Sequence, residues 1–145
     1  MKFLSQTFNI QTEKGPQFID ITDRVEEAAR KSGIANGFAV VFSKHTTAAI
    51  RINENEPALI GDMERMLEGI APSCAEYKHN EFAHAFSTNG ERPNGHSHCQ
   101  HLLLGASEAV PVVDGKLIVG QWQRIFLIEL DHGREREVVV QLVGE

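Results

Sequence analysis

Five of the seven histidines in this chain fall between positions 79 and 101, ending in the run Asn94-Gly-His96-Ser-His98-Cys-Gln-His101. Imidazole is the side chain that can ligate a metal, shuttle a proton near neutral pH, or do both. Read as a helix, the segment sets His98 and His101 three apart on one face, where they could share a metal completed by a third ligand from elsewhere. A solvent-facing polar turn rich in histidine is the alternative. His96-x-His98 also matches part of a cupin metal motif. The glutamate that should follow is replaced by Leu102 and Leu103, and the second cupin motif is absent.

A second constellation lies upstream. From Thr46 the chain alternates like a strand, with Ala48, Ile50 and Ile52 on one face and His45, Thr47, Arg51 and Asn53 on the other. Glu54 follows at the junction with a helix. Hydroxyls, an imidazole, an amide and a carboxylate thus converge near a helix N-terminus, where anions bind readily. A solvated strand face with a cap is the competing reading. Asp62 stands three residues after Leu59 and four before Met66, at the edge of an apolar stripe. A carboxylate there needs a metal, an arginine or a histidine, or it reaches water at the rim. Arg134 and Arg136, after Asp131, could clamp an anion or form an ordinary charged hairpin.

The elements that position these residues follow from periodicity and turn chemistry. Residues 2–10 and 17–21 alternate as two strands around Lys14-Gly15-Pro16. Thr22 is the expected N-cap of a helix that carries acids first, Arg30 and Lys31 last, and stops at Gly33. The apolar run Phe38–Phe42 reads as a central strand. Asn55 is the expected cap of a second helix with Pro57 in its first turn and a stripe of Leu59, Met63, Met66 and Ile70. Residues 73–93 read as a long polar loop, and Ser97–Leu104 is ambiguous between helix and strand. Strands around 108–113, 116–119, 122–130 and 136–143 complete the chain, with Asp114-Gly115 as a hairpin turn and Trp122 expected in the core. About seven or eight strands with two or three helices, not strictly alternating, predict an α+β fold.

Composition narrows the function classes. The 145 residues fit one domain, and 41% hydrophobic with 23% charged residues are ordinary globular values. A net charge of −6 without a Lys/Arg cluster argues against a nucleic-acid partner. No apolar run approaches membrane-spanning length, so no membrane partner is expected. The N-terminal stretch lacks the apolar core of a signal peptide, and two cysteines make no disulfide framework. A cytoplasmic protein with free thiols at Cys74 and Cys99 is expected.

The same residues carry a resemblance. His45-Thr-Thr-Ala-Ala-Ile-Arg-Ile-Asn-Glu54, then Asp62, His79, Asn94 and His98, then Gly105, Pro111, Gly115, Gly120-Gln-Trp-Gln123, Glu129 and Asp131 with Arg134 and Arg136, resemble the YjbQ-like family of secondary thiamine-phosphate synthase enzymes. It spans essentially the whole chain, and the HTTA-x-x-x-NE stretch with the Gly-x-Trp-Gln block makes it specific. The resemblance implies one domain over 1–145, with layered β-sheets and two or three helices packed on one side. It also implies a homotrimer with sites near subunit contacts and a histidine-rich pocket that takes metal or anions. His45, His79 and His98 match the family's recurrent histidines and are the implied ligands of a divalent ion, with zinc expected from imidazole donors. Glu54, Asp62 and Asn53 are the expected catalytic residues, and Thr46, Thr47, Asn94 and Arg136 the expected substrate contacts. His84 and His101 match no fixed family histidine, and His96 stands where many members carry an acid, so their part in the site stays open.

The implied function is a metal-assisted enzyme acting on a small phosphorylated substrate, with thiamine-phosphate synthesis as at least a side activity. That reaction joins a thiazole phosphate to a pyrimidine diphosphate and expels pyrophosphate, whose charge needs a cation, backbone amides or arginine. The chain lacks the basic, glycine-rich phosphate loops of an efficient diphosphate enzyme, which leaves the physiological substrate open. The alternative is a non-catalytic trimer that binds a metal or an anion.

Overall fold

Period-two alternation decides the larger of two sheets. A computed structural model of the chain describes residues 1–86 and 92–145, with side chains at 1–82 and 92–145. Strands β1 (Lys2–Gln11), β3 (Gly37–Ser43), β5 (Ser107–Val113), β6 (Lys116–Leu117) and β8 (Glu135–Gly144) form an antiparallel sheet in the order β1-β8-β3-β5-β6. On its inner face lie Ile10, Ala39, Val41, Val110, Val112, Val138, Val140 and Leu142, all buried. The apolar Phe38–Phe42 run does form a central strand, held between β8 and β5.

The smaller sheet, order β2-β7-β4, is made of β2 (Gln17–Asp20), β4 (Ala48–Asn53) and β7 (Arg124–Glu129). It is a middle layer. One face, with Ala48, Ile50, Ile125 and Leu127, packs into the main core with the larger sheet and helix α1 (Thr22–Ser32). The other, with Ala49, Phe126 and Ile128, packs with Leu67 of α2 (Pro57–Ile70) and Leu104 of α4 (Gly95–Leu104). Burial on both faces is why β7 reads as an unbroken apolar run. The α+β class and layered arrangement are as expected, with four described helices.

Several local expectations are corrected. Residues 78–86, expected as loop, form helix α3 (Lys78–Phe86). The cap of α2 is Glu56, whose carboxylate accepts the Ala58 and Leu59 amides, and not Asn55. Those two amides hold the Glu56 carboxyl below the usual range. Met66 and Ile70 are exposed, and Leu67 is the residue of α2 that is fully buried. Trp122 is 64% exposed rather than a core anchor. The ambiguous 97–104 segment is helical. There Gln100 Nε2 donates to the Leu67 and Ala71 carbonyls, satisfying the end of α2.

Thr22 lies inside the first turn of α1 and is not its cap. Its hydroxyl donates to Asp20 Oδ1 at 2.6 Å and accepts the Ile125 amide. Asp20 also accepts the Thr22 amide, Arg124 Nε at 2.7 Å and Asn55 Nδ2 at 3.1 Å, tying β2, α1, β7 and the approach to α2 together. Burial pushes the Asp20 carboxyl up, but the bonds from Arg124, Thr22 and Asn55 outweigh it and leave the pKa lowered. A lowered folded pKa stabilises the protein above the unfolded value, and that stability is lost as pH falls through the folded value. Asp20→Asn is therefore expected to cost about 1 kcal/mol near pH 7. In thermal melts across pH, its deficit against the parent protein should shrink below about pH 4.

Candidate functional site

Three times the chain crosses between the sheets at one end of the core. Residues 12–16 lead from β1 to β2, 44–47 from β3 to β4, and 130–134 from β7 to β8. The crossings brace one another through Thr12 N–H to Arg134 O, Gly15 N–H to Asp131 O and Leu130 N–H to Thr47 O, at 3.0, 2.6 and 3.0 Å. Strand ladders cannot continue through such corners, so side chains must satisfy the polar groups left there.

Glu129 and Arg136 do so at the centre. Both face inward and are buried. Arg136 Nε donates to Glu129 Oε2 at 2.7 Å and Nη2 to Oε1 at 2.5 Å. Thr12 Oγ1 donates to Oε2 and the Asp131 amide to Oε1, so the carboxylate is fully engaged. Arg136 Nη2 also donates to Thr47 Oγ1 at 2.9 Å.

Over this pair opens a cavity of about 550 Å³. His45, Thr46 and Thr47 of the second crossing line it, with His79 of α3 and Asn94 and His98 at the start of α4. Lys44, Arg92, His132, Arg134 and Arg136 complete the lining, which holds four Lys/Arg and four histidines and, among the described residues, no carboxylate. Their acidic partners lie outside the lining: Lys44 pairs with Glu137, Arg134 with Asp131 and Arg136 with Glu129.

Two histidines are arranged as neighbours. The His79 and His98 rings have centroids 4.7 Å apart at an interplanar angle of 74°. His45 is held differently, its Nε2 accepting the Glu137 amide at 2.8 Å. Burial first, and then the nearby Arg136 charge, lowers its pKa, in keeping with a neutral ring. His101 supports it from behind, hydrogen-bonding the His45 backbone, and its pKa too is lowered by burial. His96 faces a different cavity, and the His84 side chain lies outside the described residues.

The structure thus brings His45, His79, His98, Thr46, Thr47, Asn94 and Arg136 to one cavity. Glu54, Asp62 and Asn53 are not brought to it within one subunit. Asn53 and Glu54 sit at the far end of β4, roughly 20 Å along the strand from Thr47. Asn53 Oδ1 accepts the Glu54 amide. Asp62 is exposed on α2 and pairs with Arg65 rather than with a histidine. Arg136 is committed to Glu129 and to the Thr47 hydroxyl, so the three form a charged floor rather than free contacts. Lys44, Arg92 and His132 were not singled out by spacing. The signal for His132 was its place inside the Asp131–Arg134 turn.

Two-sheet antiparallel architecture with helices over the smaller sheet is shared with solved structures. A YbjQ-like protein of unknown function from Sulfolobus solfataricus P2 superposes with a TM-score of 0.84 at 37% identity, covering 99% of this chain and 100% of that one. A protein from Aeropyrum pernix K1 gives a TM-score of 0.87 at 36% identity, covering 98% and 99%. By sequence, a UPF0047 protein of Methanothermobacter thermautotrophicus is 42% identical over 145 residues, 100% of this chain and 95% of that protein. The UPF0047 protein YugU of Bacillus subtilis is 35% identical over 140 residues, 96% and 98% of the two chains. The family profile described as UPF0047 protein YjbQ-like matches residues 6–145. The chain belongs to the YjbQ-like, UPF0047 family.

The floor of the cavity makes a stability prediction. Arg136→Met leaves Glu129 buried without its cation and should cost about 3–5 kcal/mol in urea unfolding. Adding Glu129→Leu to that variant should recover much of the loss, a non-additivity read from the double-mutant cycle.

Proposed function

We propose that the cavity binds a small phosphorylated molecule and that the protein is an enzyme acting on it. One observation carries this reading: among the described residues, four Lys/Arg and four histidines surround a space without a lining carboxylate, in a chain of net charge −6. A cationic cavity in an acidic protein concentrates the field on an anion of ligand size. The first turn of α4 adds the positive end of a helix at Asn94, which lines the same space. Thiamine-phosphate synthesis, implied by the family resemblance, is the specific reaction to test first, because its departing pyrophosphate needs such a surround.

A divalent ion, zinc by the imidazole donors, belongs to this reading. His79 and His98 fit as neighbouring ligands. His45 does not fit in its present orientation, because its acceptor nitrogen is engaged by the Glu137 amide. Among the described residues no three His, Cys, Asp or Glu side chains are grouped to hold an ion. When bound, the ion would supply positive charge to phosphate oxygens. Arg92 and Arg134 orient the anion, and the Arg136–Glu129 pair keeps the floor rigid. The non-catalytic alternative draws support from Glu54 and Asp62 lying off the cavity, which removes the expected carboxylate acid–base groups.

The reading is tested with inorganic phosphate and pyrophosphate in thermal melts of the metal-analysed protein. Either anion at 100 times its Kd should stabilise by about 2.7 kcal/mol. Arg92→Ala, at an exposed site, should weaken the effect while moving the unliganded Tm little. His98→Ala should reduce bound zinc at unchanged fold. No stabilisation by either anion at millimolar concentration would defeat the reading, and tight binding without turnover on a panel of phosphorylated metabolites would favour the non-catalytic trimer.

Homotrimeric assembly in the cytoplasm is part of the same proposal. Among the described residues no helix is long and apolar enough to cross a membrane. Both cysteines are free and exposed. Support for assembly comes from the outer face of the larger sheet. The register aligns Phe3, Val143, Phe38 and Pro111 in one row across four strands. Phe3, Phe38 and Phe42 are 69%, 45% and 42% exposed. The buried run Ile125–Leu130, by contrast, is covered within the subunit and needs no partner. Sedimentation equilibrium should give three copies for the parent protein and a lower mass for Phe38→Lys; a monomeric parent protein would contradict the assembly.

A further inference from the structure

A second cavity, of about 840 Å³, adjoins the first, and Arg92 and His132 line both. The crossings supply Gly15, Pro16 and Gly133 to its lining, and Glu68 and Ser73 come from the last turn of α2 and the chain just after it. Two carboxylates line this space, where the first cavity has none among the described residues. Asp131 is spent: Oδ1 lies 2.8 Å from His132 Nδ1, and Oδ2 accepts Asn94 Nδ2 and Arg134 Nη2, each at 2.9 Å. Glu68 is not. Its Oε1 accepts the Ser73 amide at 2.8 Å and the Ser73 hydroxyl at 2.9 Å. Those bonds fix the half-buried carboxylate and leave Oε2 without a partner among the described residues.

The place of Glu68 in its helix is unfavourable for an acid. The last turn of α2 carries the negative end of the helix dipole, which favours a cation there. That turn holds no basic residue, and among the described residues no Lys or Arg pairs with Glu68. Lys14 lines the same cavity but is exposed and makes no ion pair with it. Uncompensated negative charge therefore stands beside the basic cavity, in a space that shares two residues with it. A local conflict of this kind is what a binding site leaves when its ligand supplies the missing charge.

Resting on the phosphate-binding reading above, we infer that the two cavities form one bipartite site for a phosphorylated amine, its phosphate in the basic cavity and its ammonium on Glu68 Oε2. Charge complementarity sets the orientation. A phosphate placed against Glu68 meets repulsion, and an ammonium placed among Lys44, Arg92 and Arg134 meets the same. A charge-assisted hydrogen bond from the ammonium to Oε2 would satisfy the open oxygen and the negative end of α2 together. Glu68 is the specificity-determining residue, and Ser73, through its two bonds to Oε1, is a positioning residue. The volume of the second cavity leaves room for the body of the ligand between its two charges.

Calorimetric titration of the metal-analysed protein with alkyl phosphates and ω-aminoalkyl phosphates matched in chain length tests it. In a basic surround alone, the added ammonium weakens binding at every length. With Glu68 in reach, the amino compound should bind about tenfold tighter than its match once the chain spans the cleft, as one charge-assisted hydrogen bond supplies. Glu68→Gln should erase that preference and Glu68→Lys should reverse it, while Ser73→Ala should reduce it. Arg92→Ala should weaken both series. Equal or weaker binding of the amino compound at every length, with the alkyl phosphates still bound, overturns the bipartite site and leaves the anion site standing. A preference that survives Glu68→Gln overturns it as well. If the folded protein binds neither series, both readings fail.

Discussion

At the end of the core where the chain changes sheets, the ion pair of Glu129 and Arg136 is the constraint on which the rest depends. Neither side chain reaches bulk water, so each would carry a large desolvation cost without the other. Their geometry answers it: two guanidinium bonds, the Thr12 hydroxyl and the Asp131 amide complete the carboxylate. Because Thr12 and Asp131 come from two of the crossings and Thr47, bonded by Arg136, from the third, fixing the pair also fixes the corners. Arg136 then reaches Thr47, and so sets the strand entrance beside His45. A rigid, satisfied base supports the basic and imidazole groups that line the cavity above it.

Charge is distributed in the opposite sense to the chain as a whole. The net charge is −6, yet the lining is basic. The balancing carboxylates Asp131, Glu129 and Glu137 stand one step behind their cations. Cations so arranged are oriented by their partners without being hidden by them. A neutral His45 beside Arg136 follows from the same field, since burial and the arginine both oppose a second positive charge there. A neutral ring is also what lets His45 Nε2 accept the Glu137 amide, which an imidazolium could not do.

Much of this was legible in the residues, and the failures have physical causes. The alternation of β1 and β4 and the apolar runs at Phe38–Phe42 and Ile125–Leu130 betray the strands, because burial repeats at period two or not at all. Helix α3 was hidden, its apolar residues too few to mark a face. Trp122 misled because an aromatic in an apolar stretch usually packs inward, while here the stretch leaves the sheet before Arg124. For the site, residue type and family pattern brought out the histidines and threonines. Glu54 and Asp62 looked close because spacing along a strand and helix measures sequence, not depth in the fold. His132 was missed because its place in the lining depends on Asp131, Asn94 and Arg134 meeting, and Asn94 is 37 residues away from Asp131.

The pairing of β1 with β8 carries a consequence for how the molecule is made. Lys2 lies opposite Gly144 and Gln11 opposite Glu135, so every rung joins residues more than a hundred positions apart. During synthesis β1 emerges before the other described strands, and its one described partner strand, β8, is the last of them to be translated. Until then its alternating edge, with Phe3 and Phe8, is open to the wrong strands. Long loops must close before that sheet gains its last member, which makes completion of the sheet a late and slow event. A nascent chain stalled before residue 135 would hold much of the smaller sheet and its helices, yet would lack both the strand that shelters β1 and the arginine that neutralises Glu129.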